Sequence, residues 1–255
     1  MYGWKMARSR SGLTLLPLYL VCIGCGSTTS GVGELGRVRY ALHSDFVADQ
    51  LDLDDAAIVT GHAQYISTEL TDKGDKKAGD DAHKIRHHVV PAGSSASMTN
   101  LDSDHDVPDF RLSALQSGSY TVESKLDGAV FDWIDLSFVE PDNIAVVAWV
   151  LAPDTSDWVD YQGLGPHSVE LGSQVTFLPI PCANGDRLVG DIEVDLAVNP
   201  ETSVVQGENV LGVYEQNVVT TSQPVSVFFV EEGEVEVTLS DAPNDLSVEV
   251  VFVVE

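Results

Sequence analysis

The chain has 255 residues and a large excess of acid: 40 Asp and Glu stand against 13 Lys and Arg, for a formal net charge of −27 at pH 7. Nucleic-acid binding needs a basic surface, so this composition excludes nucleic acid as a partner. Peripheral docking on anionic lipid head groups is disfavoured for the same reason.

The first 24 residues have the pattern of an export signal. Lys5, Arg8 and Arg10 precede an apolar run of 11 residues, 13–23. Such a run is too short to cross a bilayer as a helix, which needs about 20 residues. A basic start, a short apolar middle and small residues at the end are typical of a signal peptide that is removed from the mature protein.

The segment Cys22-Ile23-Gly24-Cys25 resembles a bacterial lipobox. In that family the signal is cut before the cysteine, whose sulfur receives a diacylglyceryl group and whose freed amine is acylated. The resemblance implies a signal peptide over 1–24, lipidation of Cys25 and attachment to a membrane through lipid, which is stable with two or more chains. The alternative is an ordinary cleavable signal without lipid.

Gly26, directly after Cys25, is not the Asp that retains lipoproteins of this family at the inner membrane. The resemblance therefore implies an exported protein anchored at the outer membrane. It does not specify whether the protein faces the periplasm or the cell surface. Cys22 and Cys25 are not predicted to form a thioredoxin-like redox pair, because such a pair lies beside a βαβ pattern and these cysteines lie in the export signal. With Cys25 lipidated, Cys182 has no partner, so no internal disulfide is expected and the fold depends on packing.

The residues after the anchor, GSTTSGVGELG (26–36), are small and predict a flexible tether, so 25–36 is taken as the lipidated cysteine and its linker. From Val38 onward the hydrophobic period is two residues, as in half-buried strands of antiparallel sheets. A short helical turn is predicted only within 45–58. Strands are predicted at 37–42, 62–69, 84–90, 119–125, 129–139, 144–151, 173–180, 191–198, 224–230, 233–240 and 246–254.

The chain also repeats itself. SGSYTVESKLDGAVFDWIDLSFVE (117–140) aligns without a gap on EGEVEVTLSDAPNDLSVEVVFVVE (232–255), an offset of 115 residues. A repeat at a fixed spacing indicates copies of one structural unit. We therefore predict two domains, 37–141 and 142–255.

Two short motifs carry a second resemblance. Gly118-Ser-Tyr120-Thr-Val122 is similar to the Gly-x-Tyr-x-Val strand of bacterial PKD-like and other Ig-like modules, and the stretch 184–190 is similar to the early hairpin of bacterial Ig-like (Big-type) repeats. The resemblance implies an all-β fold of two tandem Ig-like antiparallel β-sandwiches behind the signal and tether. Tyr120 is predicted to form a tyrosine corner, its hydroxyl bonding back to nearby backbone.

One acidic loop is a candidate calcium site. Asp102, Asp104 and Asp106 in LDSDHDVPD repeat the spacing of the oxygen ligands in a calcium loop. Val107 at the sixth position and Ser113 at the twelfth exclude an EF-hand. Looser calcium binding, with Asp109 or a neighbouring acid added, stays open and is the only cofactor hypothesis. The alternative is a solvated loop between strands.

The histidines and tryptophans give no stronger site. His83, His87 and His88 in HKIRHH are predicted to be surface residues of an edge strand. Four residues along a strand span about 13 Å, too far for two ligands of one metal. Cys182 is predicted to be a small buried residue. The three tryptophans after residue 130 are predicted in the core or at a domain junction: Trp133, Trp149 and Trp158.

The function predicted from the sequence is non-enzymatic. No Gly-x-Ser-x-Gly elbow or His-Glu-x-x-His pair occurs. We expect a display, spacer or adhesion module at the cell envelope, with an envelope protein or glycan as its partner. Two alternatives are a carbohydrate- or protein-binding receptor with a loop site in the first domain, near His105, and a metal-assisted hydrolase using the same cluster.

The acids predict a response to salt. Five of them occupy outward positions of predicted strands in the second domain: Glu193, Asp195, Glu234, Glu236 and Glu249. Like charges on facing strands destabilise a sheet, and salt screens them. The second domain is therefore predicted to depend on salt more than the first.

Overall fold

The computed structural model describes residues 31–32, 37–42, 51–53, 56–72, 81–90, 93, 95–101, 107–153, 158–162, 164–206 and 224–255. Within them the regular structure is β-strand, interrupted by 3₁₀ turns at Ala82–Lys84, Glu201–Ser203 and Ala242–Asn244. The predicted all-β class is therefore confirmed. The signal segment, Cys25 and the acidic loop 102–106 lie outside the described residues.

Among the described residues, ten strands form the first half of the chain. They are β1 (Gly31–Val32), β2 (Arg37–Leu42), β3 (Leu51–Asp52), β4 (Ala57–Val59), β5 (Ala63–Asp72), β6 (Arg86–Val90), β7 (Ala96–Asn100), β8 (Phe110–Ala114), β9 (Gly118–Leu126) and β10 (Ala129–Val139). One sheet has the order β3-β2-β5-β8-β7. The other has the order β1-β10-β9-β6, with β4 also pairing β10. We call this pair of sheets the first sandwich.

Ten further strands form the described part of the second half. They are β11 (Asn143–Leu151), β12 (Trp158–Gln162), β13 (His167–Val169), β14 (Gln174–Ala183), β15 (Asp186–Arg187), β16 (Asp195–Asn199), β17 (Val204–Gln206), β18 (Val225–Phe229), β19 (Gly233–Asp241) and β20 (Leu246–Val254). Their sheets have the orders β12-β11-β14-β18-β17, with β15 on β14, and β13-β20-β19-β16. Nine strands of this second sandwich, β11–β14 and β16–β20, pair in the same order as β2–β10 of the first, whereas β1 and β15 have no counterpart.

Alternating apolar residues build each core. β9 and β19 show the same succession of exposed, buried and half-buried positions, with Val122 and Val237 at equivalent buried places. The inward side chains of both sheets then meet in one buried cluster per sandwich. This arrangement follows from the period of two, because successive side chains of a strand point to opposite faces.

Tyr120 makes the predicted tyrosine corner. Its ring is buried against Phe138, with ring centroids 5.6 Å apart. Its hydroxyl donates to the carbonyl oxygen of Gln116 at 3.0 Å. The hydroxyl therefore closes the turn that leads into β9, as in Ig-like sandwiches.

Three details differ from the sequence predictions. The region 45–58 was expected to contain a helical turn, but its described part contains β3 and β4. The sheets are not wholly antiparallel, since β4 runs parallel to β10 and β13 parallel to β20. Within the predicted flexible tether, Gly31–Val32 forms a short strand that pairs with Trp133 and Asp132 of β10, because that edge of β10 offers free backbone groups.

Candidate functional site

The predicted calcium site is only partly described. Asp102, Asp104 and Asp106 lie outside the described residues, so their calcium hypothesis stays a prediction. Asp109, the proposed additional ligand, is buried and engaged elsewhere. Its Oδ1 accepts from the backbone N–H of Thr68 at 2.8 Å, and its Oδ2 accepts from the Tyr65 hydroxyl at 2.7 Å. These bonds engage both carboxylate oxygens of Asp109, so they favour a neighbouring acid over Asp109 as the additional ligand of that hypothesis.

The predicted surface histidines occupy three different environments. His83 is exposed in a 3₁₀ turn and His88 is exposed on β6, but His87 is 1% exposed. The prediction was therefore wrong for His87. It shares the inward face of its segment with Ile85 and Val89. Within the described residues, no group of three or more histidines, cysteines or acids could hold a metal ion.

His87 belongs to a buried polar chain inside the first sandwich. Its Nε2 lies 2.7 Å from the carbonyl oxygen of Pro108, so Nε2 carries the proton. Nδ1 then accepts from the Ser124 hydroxyl at 2.9 Å, and Ser124 accepts from the Tyr40 hydroxyl at 2.5 Å. Burial lowers the pKa of His87 to about 4, against the opposing hydrogen bond to Pro108. Burial likewise raises the pKa of Tyr40.

The hydrogen-bonded series Tyr40–Ser124–His87 contains the residue types of a nucleophile and its general base, but a substrate cannot reach it. Ser124 is 0% exposed, and its hydroxyl is hydrogen-bonded to the Tyr40 hydroxyl and to Nδ1 of His87. A catalytic serine has to meet a substrate atom at about 3 Å, which needs an opening. These hydrogen bonds therefore stabilise the core by satisfying buried polar groups.

Asp132 is a second buried acid of the same sandwich, beside Asp109. Its Oδ2 accepts from the backbone N–H of Val38 at 2.5 Å and its Oδ1 from that of Trp133 at 2.9 Å. Burial raises the pKa of Asp132 to about 6, and the two backbone donors oppose that rise. Of the tryptophans, Trp133 is 38% exposed and Trp149 is 8% exposed, while the side chain of Trp158 is not described.

The two sandwiches meet in a hydrogen-bonded junction at β4 and the start of β5. Val189 makes two backbone hydrogen bonds to β4. Its N–H donates to the carbonyl oxygen of Ala57, and its carbonyl oxygen accepts from the N–H of Val59, both at 2.9 Å. Val59 packs in the second core, while Val189 packs against the first. Gln64, 0% exposed, binds the backbone of Asp191 twice, donating to its carbonyl at 3.1 Å and accepting from its N–H at 2.7 Å.

A second set of polar contacts flanks this junction. His62 Nδ1 accepts from the backbone N–H of Glu193 at 3.4 Å, so Nε2 carries the proton and donates to Asp241 at 2.8 Å. Asn244 donates to the Thr60 carbonyl at 3.2 Å and to Asp241 at 2.8 Å. Burial raises the pKa of Asp241, but the hydrogen bonds from His62 and Asn244 outweigh it and leave that pKa lowered.

An acidic groove of about 850 Å³ opens on one flank of the second sandwich. It lies where the edge strands β16 and β17 face each other. Leu196, Val198 and Val204 supply apolar lining, and Glu193, Asp195 and Glu201 supply acid. None of these residues was predicted as part of a site, because their alternating pattern is that of any edge strand.

The free cysteine lies apart from these features. Cys182 is the penultimate residue of β14, is 7% exposed, and directs its Sγ toward the carbonyl oxygen of Ile180 at 3.6 Å. Its burial agrees with the prediction of a small packed residue rather than a nucleophile.

The comparisons with known proteins add little about function. No family model matches the sequence, and no curated protein matches it. Among solved structures, the Escherichia coli adhesin FdeC is similar over 88% of this chain and 66% of that one, with 13% identity and a TM-score of 0.30. The chain thus covers less than two thirds of that adhesin chain, and a likeness at this score does not identify a function. In the described residues, no helix is long and apolar enough to cross a membrane.

Proposed function

We propose that this protein is an exported envelope lipoprotein, in which lipidated Cys25 holds two β-sandwiches at the outer membrane as a non-enzymatic display, spacer or adhesion module. The junction between the sandwiches is the observation that supports this proposal. A spacer or display arm has to keep its far end at a fixed distance from the end that carries the tether. Such an arm needs contacts that stop its two halves from rotating.

The junction has the contacts that this role requires. Val59 enters the second core, and two backbone hydrogen bonds join β4 to Val189. Separating the sandwiches would leave Gln64 without its two bonds to Asp191. A buried polar group that loses its partners costs about 1–3 kcal/mol unless water replaces them. Domain pairs that close on a substrate instead join through a hinge that absorbs backbone rotation.

The hydrolase alternative has less support. His83, His87 and His88 do not converge, and Asp109 is held by Thr68 and Tyr65. The receptor alternative depends on the loop 102–106 and stays a hypothesis, as does a glycan or envelope protein as partner.

Distance measurements between spin labels test the rigid arm. We suggest labels at exposed Ser97 and Ser247, one in each sandwich, in a Cys182→Ala background. We expect one narrow distance distribution that is unchanged between low and high salt. A broad or multimodal distribution would show that the halves move independently and would refute the spacer role.

Metabolic labelling with an alkyne-bearing fatty acid tests the anchor. We expect label on the wild-type protein and on Cys22→Ser, and none on Cys25→Ser. The Cys22→Ser variant is the matched control, because it changes a neighbouring cysteine of the same signal. Equal labelling of all three proteins, or intact residues 1–24 on the mature protein, would refute lipidation at Cys25.

A further inference from the structure

Within the described residues, the second sandwich has an open flank between two edge strands. Among the described strands, β16 pairs only with β19 and β17 pairs only with β18. Alternate residues of such a strand direct their N–H and C=O groups away from the sheet. These groups form a template on which another extended chain can pair. The groove of about 850 Å³ lies along this template.

The corresponding flank of the first sandwich is closed. There, β6 pairs with β9 as β16 pairs with β19. Asn100 of β7 reaches across to the backbone of His87 in β6, accepting from its N–H at 2.8 Å and donating to its carbonyl at 3.1 Å. Between the described residues of β16 and β17 no such bridge is present. The open flank is therefore a difference between two copies of one topology.

The apolar core of the second sandwich reaches the surface in this groove. Leu196, Val198 and Val204 are only partly buried although they pack against the core. At the other face of β16, Asp195 and Ala197 are exposed. A strand added beside β16 would cover the partly buried side chains with its own inward residues, while its outward residues would stand beside Asp195 and Ala197. This is the pattern of peptide recognition by strand addition.

Charge specifies what kind of strand fits. Glu193, Asp195 and Glu201 line the groove. Over 142–255 the sequence has 20 acidic residues and one basic residue, Arg187, for a net charge of −19. An acidic segment, or a second copy of this chain, would be repelled, whereas a cationic segment would be attracted and its association accelerated.

We propose that the groove between β16 and β17 is the docking site for an extended cationic segment of a partner protein, which pairs with β16 as an added strand. Its apolar side chains lie toward Leu196 and Val198, and its Lys or Arg side chains lie beside Asp195 and Glu201. This partner class goes beyond the rigid anchored arm and does not depend on the lipid anchor.

Synthetic peptides test the chemistry of the segment. The probe is a nine-residue peptide that alternates lysine and valine, with a fluorophore at one end. One control peptide replaces lysine with glutamate, and another places proline at two central positions, which removes strand N–H donors. We expect the lysine peptide to bind the mature protein at least tenfold more tightly than either control. We also expect it to slow hydrogen exchange at residues 195–199.

Two variants of equal charge test the location. Ala197→Lys places a like charge beside the docked strand, and Ser247→Lys places the same charge on exposed β20. We expect a tenfold or greater loss of affinity in the first variant and less than a threefold change in the second. Equal effects of both variants would show non-specific attraction by the acidic surface and overturn the proposal. So would equal binding of the proline peptide, or no binding of any peptide at 1 mM.

Discussion

His87 is expected to make the first sandwich lose stability on mild acidification. Its pKa is about 4 in the folded protein and about 6.5 in an unfolded chain. The unfolded state therefore binds a proton between these values that the folded state does not bind. Stability from His87 is complete above about pH 6.5 and is lost as the pH falls toward 4.

The size of the effect follows from the pH interval. From pH 7.5 to 5.0, about 1.5 units lie below the unfolded pKa, which corresponds to about 2 kcal/mol. Asp132 acts in the opposite direction. Its folded pKa of about 6 lies above the ordinary value of 3.8, so the folded state takes up its proton first and gains stability as the pH falls through 6. With solvent screening this offsets about 1 kcal/mol, so the wild-type protein should lose only about 1 kcal/mol over this interval.

Variants separate the two contributions. We suggest urea unfolding at pH 7.5, 6.0 and 5.0, read by pulsed hydrogen exchange of peptides from residues 118–126, which report the first sandwich. Relative to wild type, His87→Gln should gain about 2 kcal/mol of unfolding free energy between pH 7.5 and 5.0. Asp132→Asn should lose about 1 kcal/mol. His88→Gln, on the exposed face of the same strand, should follow wild type. Equal pH dependence of the His87 and His88 variants would refute the reasoning.

Three further predictions concern the junction, the corner and the surface charge. Gly190→Ala puts a Cβ 2.6 Å from Gln64 Oε1 at a φ of +116°, and it should broaden the distribution of spin-label distances between the sandwiches. Gly185→Ala, at a φ of +85° with no atom within 4 Å of the new Cβ, should leave that distribution unchanged. Equal broadening in both variants would exclude steric contact as the cause. Tyr120→Phe loses the bond to Gln116 and should lower the unfolding free energy of the first sandwich by about 1 kcal/mol in urea; an unchanged midpoint would contradict the corner's contribution. Raising NaCl from 0.05 to 0.5 M should raise the melting temperature of the second sandwich more than that of the first, and a flat response in both would remove the salt hypothesis.

The period of two in the sequence was enough to place most strands. It predicted β10 and β20 with the ends that the structure shows, because long alternating segments leave little freedom in register. Short strands such as β4, β7 and β17 were missed, since three to five residues of mixed polarity carry little periodic signal. The parallel pairing of β4 with β10 is a tertiary feature that no local pattern encodes.

The buried histidine was misassigned although a signal was present. Ile85, His87 and Val89 alternate along one face, and that face is the inward one. What the sequence did not contain was the set of partners that makes burial tolerable. Ser124 and the carbonyl of Pro108 are 37 and 21 residues away. Only the assembled sheets bring these groups together.

The outward acids were assigned to the correct face, but their neighbours differ from the expectation. Glu236 stands opposite Asn199 and Val251, and Glu249 stands opposite Thr238. The Asn199 side chain donates to Glu236 at 3.0 Å. Direct like-charge pairs are thus avoided in register, and repulsion acts along diagonals of about 7–8 Å. The salt response should therefore be smaller than the net charge suggests.

One register position explains how two copies of the same topology diverge. In the first sandwich His87 faces Ser124, and in the second Leu196 faces Leu239 at the equivalent place on the edge strand. The polar pair ties β6 into a buried network, and Asn100 closes the flank. In the described part of the chain, the apolar pair leaves the outer edge of β16 without a paired strand, above a partly covered core. Closing this flank by substitution on β16 should abolish docking without disturbing the junction, because the junction bonds of Val189 and Asp191 precede β16.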